Sequence, residues 1–127
     1  MKTYLLVIDD ETDFTFFVKK NLEATGTFDV SVCDDATQAI ERARQQRPNL
    51  ILLDIMMPGM GGEEIATALQ QHPETKQIPI VFLTALVKEE ETTQQAHMIG
   101  GHPFVAKPVK INELIKVLNA VSKESKG

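Results

Sequence analysis

The sequence predicts an α/β domain: a parallel sheet, open at its edges, with helices packed on both faces. Two observations carry this. Short, almost uninterrupted apolar runs of strand length recur along the chain, and segments with apolar residues three and four apart lie between them. Continuous apolar runs suit strands buried on both faces, the condition of a parallel sheet under helices. The alternation of five strands with five helices then selects this architecture.

The first strand is Tyr4 to Ile8. Phe14, Phe17, Val18 and Leu22 then share one face of a helix that reaches Gly26, with Asp13 as its expected N-cap. Phe28 to Val32 alternates as a second strand. Ala36, Ala39, Ile40 and Ala43 mark a second helix, capped by Asp34 or Asp35 and closed by Pro48. Leu50 to Leu53 is the third strand, and a helix from about Gly62 to Gln71 turns Ile65 and Leu69 inward. Ile80 to Leu83 is the fourth strand, followed by a helix from about Lys88 to Ile99 that Gly100 and Gly101 end. The fifth strand, Phe104 to Ala106, is expected to start late because Pro103 has no N–H to give a ladder. The last helix runs from about Asn112 to Ser122, with Leu114, Ile115 and Leu118 inward. Residues 1–122 form the domain, and 123–127 a flexible tail of Lys, Glu, Ser and Gly.

The bulk properties narrow the function. A chain of 127 residues suits one domain with a real core. A net charge of -5 argues against a nucleic-acid surface. No apolar run is long enough for a membrane span, and Met1 and Lys2 lead straight into a strand without signal-peptide features. The single cysteine, Cys33, lies in the alternating second strand and reads as a core thiol. These features together point to the cytoplasm.

Polar residues gather at the carboxyl ends of the strands, where sheets of this kind bind ligands. Asp9 and Asp10 follow the first strand, Asp54 the third, Thr84 the fourth and Lys107 the fifth. Neighbouring strands lie about 4.8 Å apart, so Asp9, Asp10 and Asp54 can share one pocket. Two like charges 4 Å apart cost about 4 kcal/mol at an effective dielectric near 20. Lys107 offsets part of that repulsion, and a hard divalent cation such as Mg2+ suits an all-oxygen set.

With these residues in place, the chain resembles the CheY-like receiver domains of two-component response regulators. The resemblance rests on Asp9-Asp10, on LLDIMMPGMGG from Leu52 to Gly62, on FLTA from Phe82 to Ala85 and on Lys107-Pro108, and covers nearly the whole chain. It implies a flavodoxin-like (βα)5 three-layer sandwich with strand order 2-1-3-4-5, the first and fifth helices on one face and the middle three on the other. It implies that Asp54 accepts a phosphoryl group from a phosphohistidine of a sensor kinase or phosphotransfer protein. Asp10 and Asp54 side chains and the Met56 backbone carbonyl would hold Mg2+, with Asp9 acting through water. Thr84 and Lys107 would contact the phosphoryl oxygens, Phe104 would turn with Thr84 as the switch aromatic, and Pro108 would follow a cis bond. Phosphorylation would then change partner binding at the face of the fourth helix, fifth strand and fifth helix. Such a domain is no metabolic enzyme, but it catalyses its own phosphorylation and autodephosphorylation.

Two departures from the family pattern stand out. Gly61 replaces an acid before the third helix, removing a charge or cap. Gly100, Gly101, His102 and Pro103 replace the usual residues before Phe104, and His102 reads as a solvent-exposed loop residue. Glu11 is expected at the pocket rim with no assigned chemistry. His72 and His97 show no metal-ligand spacing with His102. The alternative function is a receiver-like scaffold that binds partners without phosphorylation. A flavin or nucleotide domain would want glycines after the first strand, where Asp-Asp-Glu stands. A haloacid-dehalogenase-like phosphatase would want two acids spaced by two residues and a cap domain. No second hydrophobic unit or basic recognition helix is present, so a stand-alone receiver is expected, with the front domain of a longer regulator as the other possibility.

Overall fold

The computed structural model describes residues 2–85, 98–99 and 101–126. In chain order the elements are β1 (Thr3–Ile8), α1 (Thr12–Ala24), β2 (Phe28–Cys33), α2 (Ala36–Gln46), β3 (Leu50–Asp54), α3 (Gly62–Gln71), β4 (Ile80–Thr84), β5 (Met98–Ile99), β6 (His102–Ala106) and α4 (Ile111–Lys126). The strands lie in the order β2-β1-β3-β4-β6-β5. The first five of these are paired in parallel, which is the 2-1-3-4-5 order of a flavodoxin-like sheet. β5 adds a two-residue antiparallel edge to β6, pairing Met98 with Pro103 and Ile99 with His102.

The pleat explains the continuous apolar runs. Along β1, Leu5 and Val7 join one core cluster while Leu6 and Ile8 join the other. The same division separates Leu50 and Leu52 from Ile51 and Leu53, and Val81 and Leu83 from Ile80 and Phe82. Successive side chains point to opposite faces, so a strand covered twice must be apolar at every position. Val18 and Leu22 of α1 pack with Leu114 and Leu118 of α4 on one face. Ala36, Ala39 and Ala43 of α2 pack with Ile65, Ala66 and Leu69 of α3 on the other. Cys33 is buried in that second cluster as a free thiol, as its alternating segment predicts.

Several boundaries differ from the sequence expectations. Glu11, not Asp13, is the N-cap of α1, and its side chain makes no capping bond; Asp13 lies in the first turn. The competing requirement is the strand end: Asp9 draws the Glu11 N–H into a side-chain turn, which starts the helix early. Asp35 caps α2 as expected, accepting from the Thr37 N–H at 2.9 Å. α3 spans the predicted residues. The expected fourth helix falls mostly outside the described residues, and its last two positions, Met98 and Ile99, are strand instead. β6 begins at His102, before Pro103; its parallel pairing with β4 nevertheless starts at Phe104. α4 continues to Lys126, past the expected end at Ser122.

Candidate phosphoacceptor site

The register of the sheet brings the strand ends together. β1, β3 and β4 are adjacent, and the turns that follow them are tied to their neighbours: the Asp9 N–H donates to Cys33 O, and the Ile55 N–H to Leu83 O. The Lys107 N–H donates to Thr84 O at 2.8 Å, which fixes the segment after β6 beside the end of β4. The Lys107–Pro108 peptide is cis, as expected.

Asp9 and Asp54 are built alike. Asp9 Oδ1 accepts the Glu11 N–H at 2.9 Å, and Asp54 Oδ1 accepts the Met56 N–H at 3.2 Å. Each bond spans two residues, the geometry by which an aspartate stabilises its own turn. Each Oδ2 is thereby turned toward Lys107. The Lys107 ammonium lies 2.7 Å from Asp9 Oδ2 and 3.8 Å from Asp54 Oδ2. It also meets Glu11 Oε1, and it sits 4.5 Å from the centre of the Phe14 ring. Asp9 Oδ2 is buried and receives no well-directed hydrogen bond, so its contact with Lys107 is an ion pair of poor angle.

The electrostatics follow from burial and crowding. Asp9 is fully buried and Asp54 is 5% exposed. Burial, then the nearby Asp9 charge, pushes the Asp54 carboxyl up to about 6, while the Met56 N–H and Lys107 pull the other way. Burial alone would lower the Lys107 ammonium, but its contacts with Asp9 and Glu11 and the Asp54 charge raise it above the ordinary lysine value. One ammonium therefore faces several carboxylates. Oxygens of Asp9, Glu11 and Asp54 lie within 4.8 Å of one another, a group able to hold a metal ion. The excess negative charge, the all-oxygen donors and the poorly served Asp9 Oδ2 fit a hard cation.

The other expected residues divide clearly. Asp10 is exposed and lines the same cleft with Glu11, Asp54, Met56, Ala85 and Lys107, but it is not in the close carboxylate group. Thr84 is buried at the end of β4, and Phe104 is buried opposite Phe82 in the parallel register. Met56 is exposed at the mouth. His102 is not an exposed loop residue. It sits half-buried in β6, its ring edge-on to Phe82 at 5.5 Å and its Nε2 3.1 Å from Gln70 Nε2, and burial lowers its pKa.

Three contributions were not read from the sequence, which placed Glu11 at the pocket rim without a role. Glu11 grips Lys107. Phe14 supplies the ring face beneath the ammonium, a role its place on the apolar stripe of α1 does not announce. Gly62 lets the start of α3 press on the turn after β3, donating its N–H to Ile55 O at 2.9 Å. The glycine pair Gly61-Gly62 was the available signal for that close approach.

With this geometry in view, comparison with known proteins is direct. The response regulator receiver domain family matches residues 5–119. The chain is 34% identical to the phosphate regulon transcriptional regulatory protein PhoB of Rhizobium meliloti, over 96% of this chain and 53% of that protein. It is 32% identical to the alkaline phosphatase synthesis transcriptional regulatory protein PhoP of Bacillus subtilis, over 98% of this chain and 50% of that one. The chain thus spans about half the length of these curated relatives. Among solved structures, chemotaxis protein CheY4 of Vibrio cholerae superposes with a TM-score of 0.80 and 27% identity, covering 95% of this chain and 99% of that one. The chain belongs to the response regulator receiver domain family. The acidic group of Asp9, Glu11 and Asp54 lies where such a domain has its phosphoacceptor and metal site. Among the described residues no helix is long and apolar enough to cross a membrane.

Proposed function

We propose that this domain is a phosphorylation-dependent switch in which Asp54 accepts a phosphoryl group from the phosphohistidine of a sensor kinase or histidine phosphotransfer protein. The observation that carries this is the setting of Asp54: a buried carboxylate, raised to about 6 yet ionised at neutral pH, at a sheet edge beside Asp9 and Lys107. In the reaction, an Asp54 oxygen forms a bond to phosphorus as the phosphorus–nitrogen bond breaks. The electron pair of that bond stays on the imidazole, which takes up a proton, and Asp54 becomes an acyl phosphate. No general base is needed because the nucleophile is already an anion.

Mg2+ is the cation of this reading, and when bound it would neutralise charge on the phosphoryl oxygens. Asp10, Asp54 and the Met56 carbonyl would hold it, with Asp9 acting through water. Lys107 supplies a positive charge for one phosphoryl oxygen, and the Thr84 hydroxyl supplies a hydrogen bond to another. A shift of Thr84 frees space into which Phe104 turns, altering the face made by β6 and α4. A downstream protein that reads this face is the output partner, and the domain acts in the cytoplasm.

The test is intact-mass measurement after incubation with acetyl phosphate or phosphoramidate, with and without Mg2+, followed by a cognate kinase. A metal-dependent gain of one phosphoryl group, absent in Asp54→Asn, is expected. No gain from any donor favours the phosphorylation-independent scaffold.

A further inference from the structure

We propose that Glu11 is a positioning residue that holds Lys107 in reserve, off the phosphoacceptor, and releases it when a phosphoryl group arrives. This rests on the reading of Asp54 as the phosphoacceptor. An ammonium has three donors. In this structure two face carboxylates, Asp9 Oδ2 at 2.7 Å and Glu11 Oε1, while Asp54 Oδ2 at 3.8 Å lies beyond hydrogen-bond reach. The Phe14 ring, 4.5 Å from the ammonium, limits its approach from a further side. A phosphoryl oxygen on Asp54 must therefore draw Lys107 away from these two acids, and the more tightly they hold it the weaker that new contact becomes.

The two partners differ in what release costs them. The Asp9 side chain is fully buried, and leaving it uncompensated is expensive. The Glu11 side chain is 62% exposed, and water takes over its solvation at once. Glu11 is also not loosely placed. Its N–H is held by Asp9 Oδ1, and its carbonyl receives the Thr15 N–H at 3.0 Å as α1 begins. The backbone that positions the clamp is thus tied to the acid that shares the lysine. Glu11 opposes anion binding at Asp54 in two ways: it occupies the lysine, and it adds negative charge at the mouth.

Two measurements test this on the whole chain. The first is affinity for beryllofluoride, an analogue of the aspartyl phosphoryl group, in the presence of Mg2+. The second needs no metal: the rate at which an amine-reactive acylating reagent labels Lys107, followed by peptide mass. Glu11→Gln is expected to bind the analogue roughly two- to fivefold more tightly, the size an exposed ion pair supports, and to label faster at Lys107. Asp13→Asn, which removes an exposed charge two residues away without touching Lys107, is expected to match wild type in both. Unchanged or weaker analogue binding by Glu11→Gln overturns the proposal. So does an equal gain in Asp13→Asn, which would reduce the effect to general charge. If wild type neither binds the analogue nor gains a phosphoryl group from any donor, the phosphoacceptor reading itself falls, and the clamp falls with it.

Discussion

A methyl group on Gly62 would sit 2.5 Å from the carbonyl oxygen of Asp54 and 2.7 Å from the Cα of Ile55. Both are backbone atoms of the turn that carries Asp54, so neither can swing aside as a side chain does. Gly62→Ala is expected to cost about 1–3 kcal/mol, the usual penalty of overpacking, and to slow phosphorylation of Asp54 by displacing its turn. Urea denaturation and the phosphoramidate reaction measure the two effects separately. A second residue-scale prediction concerns coupling. Thr84→Ala, once phosphorylated on Asp54, is expected to bind the downstream partner more weakly than phosphorylated wild type, if the proposed route from Thr84 to Phe104 carries the signal. Equal affinities in a binding titration would remove Thr84 from that route. At this scale the sequence was informative about position: Asp9 and Asp10 follow β1, Asp54 and Thr84 end β3 and β4, and Lys107 follows β6. Glu11 and Phe14 were not legible, because their part depends on where one lysine side chain from the far end of the chain comes to rest.

At the scale of elements, α2 and α3 make a natural comparison. Asp35 caps α2 with side-chain bonds to the Thr37 N–H and hydroxyl, whereas Gly61 at the start of α3 offers no side-chain cap. Gly61 has an extended backbone, and an added Cβ finds nothing nearer than Glu64 Oε1 at 3.7 Å. Gly61→Ser is therefore expected to stabilise the domain by about 0.5–1 kcal/mol, through a new cap and a less flexible unfolded chain. The shift in urea midpoint at constant slope checks it; a loss of stability would mean that the glycine serves the turn itself. Elements with a clean apolar period, such as α3, were legible to the residue. The start of α1 was not, since a local cap at Asp13 competed with the turn that Asp9 makes for the sake of the site. β5 was hidden because two paired residues leave no periodicity to read. His102 was misjudged because the glycines before it suggest a loop, while Phe82 and Gln70 give its ring a surface to pack on.

For the molecule as a whole, the site sets function against stability. The Asp54 carboxyl is raised from its ordinary 3.8 to about 6, burial being the main cause and the Asp9 charge the next. A carboxyl raised in the folded state favours folding while it is protonated. That contribution is complete below about pH 4 and is lost as pH rises through about 6. Ionised Asp54 is then an acid held in a fold that would prefer it neutral, at a cost of about 1–3 kcal/mol once solvent screening is allowed for. Asp54→Asn keeps the size and the Met56 N–H acceptor while removing the charge, and Lys107 retains Asp9 and Glu11. The variant is expected to be more stable than wild type by about that amount at pH 7.5, and by only about a third of it near pH 4.5. Millimolar Mg2+ should narrow the gap at pH 7.5 by raising wild type more than the variant, because a cation that binds only the folded state stabilises it by mass action. Urea denaturation at the two pH values, with Mg2+ and with chelator, reads all of this at once. A variant less stable than wild type at pH 7.5, or a gap that does not change with pH, would mean that Asp54 is well served in its charged form. Repulsion among the neighbouring carboxylates would then give no reason to expect a cation at this site.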